Sequence, residues 1–216
     1  MGINPFPMKT AALIAGILSF AALHAFAEAP EPVAPQPAAP GPFDRGTWEV
    51  EGGSGFYGSF SSRTNKRVTI NYQMEDLRLG WMYDSPRHSG WLRGNNEFLL
   101  EGFGGETTKG PDGFLAGGDV LWRYNFIQPE TRWIPYFQLG AGMLGNNIYR
   151  GLGQREIGEG FEFLLQGGVG VKYLINDQWS VALEGGWRHI SNADLAPRNQ
   201  GLNSLGGLLQ VTYRFH

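Results

Sequence analysis

The chain has 216 residues, with 17 Lys and Arg against 20 Asp and Glu and a net charge of -3, a balance that excludes nucleic-acid binding as its main activity. Charged residues make up 17%, where a soluble domain usually carries about a quarter, and 33 Gly with 7 Trp, 8 Tyr and 14 Phe suit closely packed strands better than helical bundles. With 0 Cys, disulfide scaffolds, thiol nucleophiles and thiolate metal sites are excluded as well.

The first segment reads as an export signal. Met8-Lys9-Thr10 supplies a positive start, Ala11 to Leu23 is an apolar run too short to span a bilayer as a helix, and Ala25-Phe26-Ala27 is a small-x-small cleavage pattern. Residues 1–27 are therefore expected to leave as a signal peptide. Residues 28–43 form a Pro/Ala-rich periplasmic spacer, in which Pro30, Pro32, Pro35, Pro37, Pro40 and Pro42 favour an extended conformation without a fold. Residues 44–216 are left as one domain.

From Phe43 onward the apolar pattern recurs at two, not at three and four, so the domain is all-β. In Phe161, Phe163, Leu165, Gly167, Val169, Val171 and Tyr173 every odd residue is apolar or Gly, against Glu162, Gln166 and Lys172 on the even positions. The alternation repeats from Phe114 to Phe126 and from Trp179 to Trp187. Eight segments follow, near 47–57, 67–83, 91–104, 113–127, 131–145, 159–175, 178–191 and 204–215, with a bulge expected around Glu75, where the second changes parity. Long strands with an apolar face, aromatic ends and a polar opposite face, behind a signal peptide, specify an eight-stranded antiparallel transmembrane β-barrel of the bacterial outer membrane.

Eight strands enclose side chains and leave no pore. Glu49, Glu51, Glu97, Glu101, Asp119, Glu162 and Glu184 would fill the interior with Arg78, Arg123, Lys172, Arg188 and Arg214, each charge paired. The connections around Asp84-Ser85-Pro86, Gln128-Pro129-Glu130 and Asn176-Asp177 read as the shorter, periplasmic turns. Those around Ser61 to Lys66, Gly105 to Pro111, Gly145 to Gly158 and Asn192 to Asn203 read as exterior loops. The seventh strand then ends at the outer leaflet with Ser191. The terminal Val211-Thr212-Tyr213-Arg214-Phe215-His216 resembles the aromatic last strand of such barrels with one extra residue.

Chemistry concentrates at His189-Ile190-Ser191. Two residues apart on a strand, the imidazole and the hydroxyl share a face, roughly 7 Å apart along the chain, and that face is the apolar one of Val181, Leu183 and Trp187. Polar groups on a lipid-facing wall need a reason. A strand ending at a wet rim is the bland one. The continuation Asn192-Ala193, then Pro197, Asn199, Gly201, Asn203 and a final strand, resembles the outer-membrane lipid A 3-O-deacylase (acyloxyacyl hydrolase) family. The resemblance is most specific from Trp187 to Phe215, and it implies a cofactor-free hydrolase acting on the 3-O-acyl ester of lipid A in lipopolysaccharide from the outer wall of the barrel.

Carried over by motif, Ser191 is the nucleophile, His189 its general base, and Asn192 and Asn199 are amide donors to the oxyanion. Asp194 stands where that family often has Gly as a backbone donor. Asn203 occupies the place of a Glu, and an amide orients an imidazole without stabilising its positive charge. Glu159, at the start of the adjacent strand, is the rival acid. Arg63, Lys66, Arg67, Arg150, Arg155 and Arg198 are candidates for lipid A phosphates. No spacing suggests a transition-metal site, and Lys109-Gly110 breaks the resemblance of Gly104 to Gly110 to a phosphate loop. A non-catalytic barrel serving structure or adhesion is the alternative reading, and an acyltransferase disagrees with the outward parity. The expected partners are lipopolysaccharide and outer-membrane lipid, with no nucleic acid. Oligomeric state stays open, a homodimer included.

Overall fold

The period-two alternation becomes eight strands in a computed structural model that describes residues 41–60 and 68–216. They are β1 (Trp48–Phe60), β2 (Asn71–Met82), β3 (Gly94–Lys109), β4 (Phe114–Phe126), β5 (Trp133–Asn146), β6 (Phe161–Leu174), β7 (Trp179–Ser191) and β8 (Leu202–Phe215). Each pairs antiparallel with its chain neighbour, and β1 closes on β8 from Trp48 opposite Phe215 to Phe60 opposite Asn203. Closure removes every sheet edge, which a backbone in hydrocarbon requires. The predicted signal peptide, most of the spacer, the loop from Ser61 to Lys66 and the basic residues Arg63, Lys66 and Arg67 lie outside the described residues.

Burial alternates with strand parity. Leu77, Leu100, Val169, Leu183 and Leu209 point outward and are all more than 60% exposed, an arrangement suited to a bilayer and not to water. Rings band the rim where the strands start and end with the chain termini: Trp48 packs near Trp81, Tyr83 near Phe98, Trp133 near Tyr173 and Trp179 near Tyr213. Such belts mark the membrane interface. Phe215 closes β8 as expected, and the additional His216 is held by a hydrogen bond between its Nδ1 and Thr47 Oγ1 at 3.3 Å.

The interior has three layers. Phe43, Met82, Ile127 and Ile134 form an apolar plug at the end where the chain termini lie, so the barrel begins at least with Phe43, one residue into the predicted spacer. The middle is ionic. Arg78 reaches Glu51 at 2.8 Å, Glu101 at 2.6 Å, Glu184 at 2.9 Å and Asp76 at 3.0 Å. Arg123 bonds Glu51 at 2.9 Å, Arg188 bonds Glu101 at 2.5 Å, and Lys172 pairs with Glu49. An unpaired charge at this depth costs several kcal/mol, and the network supplies partners to most of these groups, although Asp119, expected to be paired with a base, has only the Gln166 amide. Toward the outer rim the filling turns apolar again, with Tyr57, Tyr72, Met74, Phe103, Leu164, Ile190 and Leu208.

That outer layer corrects one expectation. Burial alternates without interruption from Tyr72 to Met82 and the pairing with β1 is continuous, so β2 has no bulge at Glu75; its register shift lies between Asn71 and Tyr72. The apolar residues change parity because Leu77 and Leu79 face lipid while Tyr72 and Met74 fill the interior. Two connections also differ from expectation. β3 continues to Lys109, absorbing most of the predicted loop from Gly105, and the turn after β2 is long enough to hold a helical turn at Gly90–Leu92.

Candidate active site

β7 carries both faces of the barrel in alternation. Arg188 and Ile190 are buried inward, whereas Trp187, His189 and Ser191 point outward and are partly exposed. The register places His189 opposite Asn203 of β8 on one side and Leu165 of β6 on the other, and Ser191 opposite Phe163. Directly opposed residues bring their side chains within reach. His189 Nδ1 and Asn203 Oδ1 are hydrogen-bonded at 3.0 Å. An amide oxygen only accepts, so this bond assigns the proton to Nδ1 and leaves Nε2 with a lone pair.

Two further contacts fix the imidazole. Trp187 stacks on it with ring centroids 6.0 Å apart and planes at 17°. On another side lies Gly201, where an added Cβ would stand 2.8 Å from His189 Cε1, and its φ of +71° is itself a glycine conformation. Neither contact was singled out in the sequence, although a Gly before the last strand is a turn signal. The imidazole is therefore held from the side (Trp187), the edge (Gly201) and Nδ1 (Asn203). No hydrogen bond joins Nε2 to Ser191 Oγ, a link that often tightens only once substrate is bound.

The loop from Asn192 to Gly201 folds over the end of β7. Ala193 and Asp194 both adopt left-handed backbone conformations, with φ of 51° and 65°. Asn199 braces this turn, accepting the backbone N–H of Asn192 at 3.1 Å and donating to Asp194 Oδ1 at 2.9 Å. The Asn192 side chain does not serve as the expected oxyanion donor. It is fully buried on the inward side, where its amide donates to the Arg198 carbonyl at 3.1 Å.

Arg198 is also not available to a phosphate. Its guanidinium donates to the carbonyls of Tyr149 at 2.5 Å, Gln154 at 3.3 Å and Gly151 at 3.4 Å, which ties the loop after β7 to the loop after β5. Arg150 and Arg155 remain exposed. Glu159 makes no hydrogen bond to His189; its backbone N–H donates to Glu162, and its own carbonyl accepts from Asn146. Glu162, expected to pair with a basic residue, instead accepts backbone N–H groups. Among the described residues no group of three or more His, Asp or Glu gathers as for a metal ion.

Below Trp187 the outer wall is dished. Gly167, Gly168, Gly185, Gly186 and Gly206 form the floor, and Phe137, Leu139, Val169 and Leu205 the sides, of an apolar depression of about 510 Å³. Of these, Gly167 and Gly185 face outward and leave the wall without side chains that would fill it, whereas a Cβ on Gly168, Gly186 or Gly206 would point inward, toward Glu184 or Tyr57.

A sequence model of the lipid A 3-O-deacylase (PagL) family matches residues 67–212, a span that includes every residue of this cluster. The chain belongs to the lipid A 3-O-deacylase family. Its barrel is similar to the crystal structure of the outer membrane enzyme PagL, with a TM-score of 0.52 and 19% identity over 75% of this chain and 97% of that one. It is equally similar to Neisserial surface protein A, at a TM-score of 0.53 and 15% identity over 79% and 98%. Identities this low establish the barrel fold, while the family match carries the hydrolase assignment. Comparison of the sequence with curated proteins gives no significant match. As a member of this family the chain is an outer-membrane barrel hydrolase of lipid A.

Proposed function

We propose that the protein removes the 3-O-linked acyl chain of lipid A by a serine-esterase mechanism on the lipid-facing wall, with Ser191 as nucleophile, His189 as general base and Asn203 as the residue that orients the base. The observation that carries this reading is the 3.0 Å bond between His189 Nδ1 and Asn203 Oδ1 on the face that also bears Ser191. His189 Nε2 takes the Ser191 proton as Oγ attacks the ester carbonyl. The proton then passes to the departing sugar oxygen, leaving an acyl-enzyme. Water, activated by the same nitrogen, releases the fatty acid and restores the hydroxyl.

The developing oxyanion needs donors near the end of β7. The left-handed turn at Ala193 and Asp194 aims backbone N–H groups differently from a strand, and Asn199 keeps a second amide hydrogen beyond its bond to Asp194. Asn203 has no charge to offset the imidazolium, so it acts through orientation alone. The glycine-floored depression beneath Trp187 offers an apolar seat to an acyl tail.

Mass spectrometry of lipid A from cells expressing the protein tests the reading. Loss of one hydroxyacyl chain that disappears with Ser191→Ala supports hydrolysis. Gain of a chain would indicate transfer, and an unchanged lipid A would favour a structural barrel.

A further inference from the structure

At the rim that carries the chain termini, the turn between β2 and β3 folds outward over the barrel wall, fastened mainly by its backbone. Tyr124 Oη donates to the Leu92 carbonyl at 2.6 Å and Gln128 Nε2 to the Trp91 carbonyl at 3.3 Å. The Arg93 guanidinium donates to the Ile127 carbonyl at 2.6 Å, and the Ile127 N–H returns a bond to the Arg93 carbonyl at 2.8 Å. Tyr124 is an outward-facing residue of β4, two positions before its end, so the turn stands against the outer face and not across the mouth. Yet none of Gly90, Trp91 and Leu92 is buried. Trp91 is 76% exposed, the most of any tryptophan among the described residues, and Leu92 is exposed beside it.

Between turn and wall lies a cleft. Gly90 and Trp91 on one side and Phe126, Gln128 and Pro135 on the other enclose an almost wholly apolar volume of about 620 Å³, within the usual range for a small-molecule site. The β4–β5 ladder ends at Asn125 opposite Tyr136, and the next residue of β5 is Pro135, which has no N–H to offer a ladder. Phe126 and Pro135 both point outward by parity, so the cleft opens on the lipid-facing wall beside Trp133. The turn is also basic. Residues 87–93 contain Arg87, Arg93 and no acid, and the facing turn after β4 carries one charge of each sign, Glu130 and Arg132. Arg87 is engaged by Asp84 at 2.5 Å. Arg93 commits one nitrogen to Ile127, and the other N–H groups of its guanidinium have no partner among the described residues.

We propose that this cleft holds an acyl chain of an anionic glycerophospholipid, with the lipid phosphate against Arg93. The cleft is continuous with the wall already in contact with hydrocarbon, so a chain enters it sideways from the leaflet without crossing water. A tryptophan ring suits the level where tails meet headgroups. A guanidinium with unused donors suits a phosphate, and the positive charge of the turn favours an anionic headgroup over an uncharged one. The proposed active site stands at the opposite rim, so on that reading lipid A fills the far leaflet and glycerophospholipid this one. The cleft itself does not depend on which side chain attacks the ester. A lipid held here braces the β2–β3 turn against β4 and takes no part in acyl transfer.

The full mature barrel in a neutral detergent is mixed with equal amounts of dioleoylphosphatidylglycerol and dioleoylglycerol, and native mass spectrometry reads the lipid that stays bound as detergent is stripped. The expected result is one phosphatidylglycerol per barrel, saturating with lipid concentration. Trp91→Ala, which removes one wall of the cleft, should weaken retention at least about tenfold. Arg93→Gln should erase the preference for phosphatidylglycerol over dioleoylglycerol, and it serves alone if the first variant does not fold. Neither variant should alter deacylation per folded barrel. A wild type that retains the lipid but does not deacylate would overturn the proposed mechanism and support the cleft. Retention that never saturates, that prefers the uncharged lipid, or that is the same in wild type and both variants would overturn the site. Barrels found at twice their mass, with lipid lost in step, would assign the cleft to a second copy instead.

Discussion

The inside and the outside of this barrel use similar polar residues for opposite ends. Inside, Arg78 contacts four carboxylates, Arg123 and Lys172 share Glu51 with it and Arg188 shares Glu101, so much of the interior charge is neutralised. Outside, one nitrogen of His189 is committed to Asn203, and the other is the one that the proposed mechanism uses. Strand β7 presents both situations in successive residues, Arg188 inward and His189 outward. On the proposed mechanism a polar group stabilises the fold where most of its bonding capacity is used, and becomes reactive where part of that capacity is left over.

Substitutions that separate stability from activity sharpen this contrast. Ser191→Ala should lower deacylation by at least about 10³-fold, since nucleophile and base act as a unit, and should leave the unfolding temperature unchanged. Arg78→Ala should do the reverse. Leaving Glu51, Glu101 and Glu184 without their shared partner should cost about 3–5 kcal/mol in urea unfolding, with normal turnover per folded barrel. If Arg78→Ala abolished turnover in fully folded protein, the division between the two faces would fail.

Smaller effects test the support of the imidazole. Asn203→Ala should reduce kcat by roughly 10² with KM little altered, and Asn203→Asp should raise kcat above the native value by restoring charge behind the ring. Gly201→Ala should lower kcat by about tenfold, because its methyl group displaces the His189 edge and strains a backbone at positive φ. Steady-state kinetics on a micellar ester substrate reads both.

Much of this was legible in the residues themselves. Parity placed His189, Ser191 and Asn203 on one outward face, and it placed Arg78, Arg123 and Glu101 inside, because a period of two leaves only two faces. Parity failed at Tyr72 and Met74, where apolar residues point inward above the ionic layer, because the pattern records hydrophobicity and not which side provides it. The commitment of Arg198 to loop carbonyls, the committed amide of Asn192 and the lack of a basic partner for Glu162 among the described residues depend on contacts between the loops after β5 and β7, which are remote in sequence. Gly201 was visible as a turn residue, but its packing against the imidazole required the register of β7 on β8.

The depression on the wall has a kinetic corollary. A substrate that arrives sideways through the leaflet is counted per unit area, so turnover should follow the mole fraction of glycolipid in the surface and fall when inert detergent spreads the same amount over more micelles. Catalysis of this kind is two-dimensional, and its Michaelis constant belongs in units of surface density.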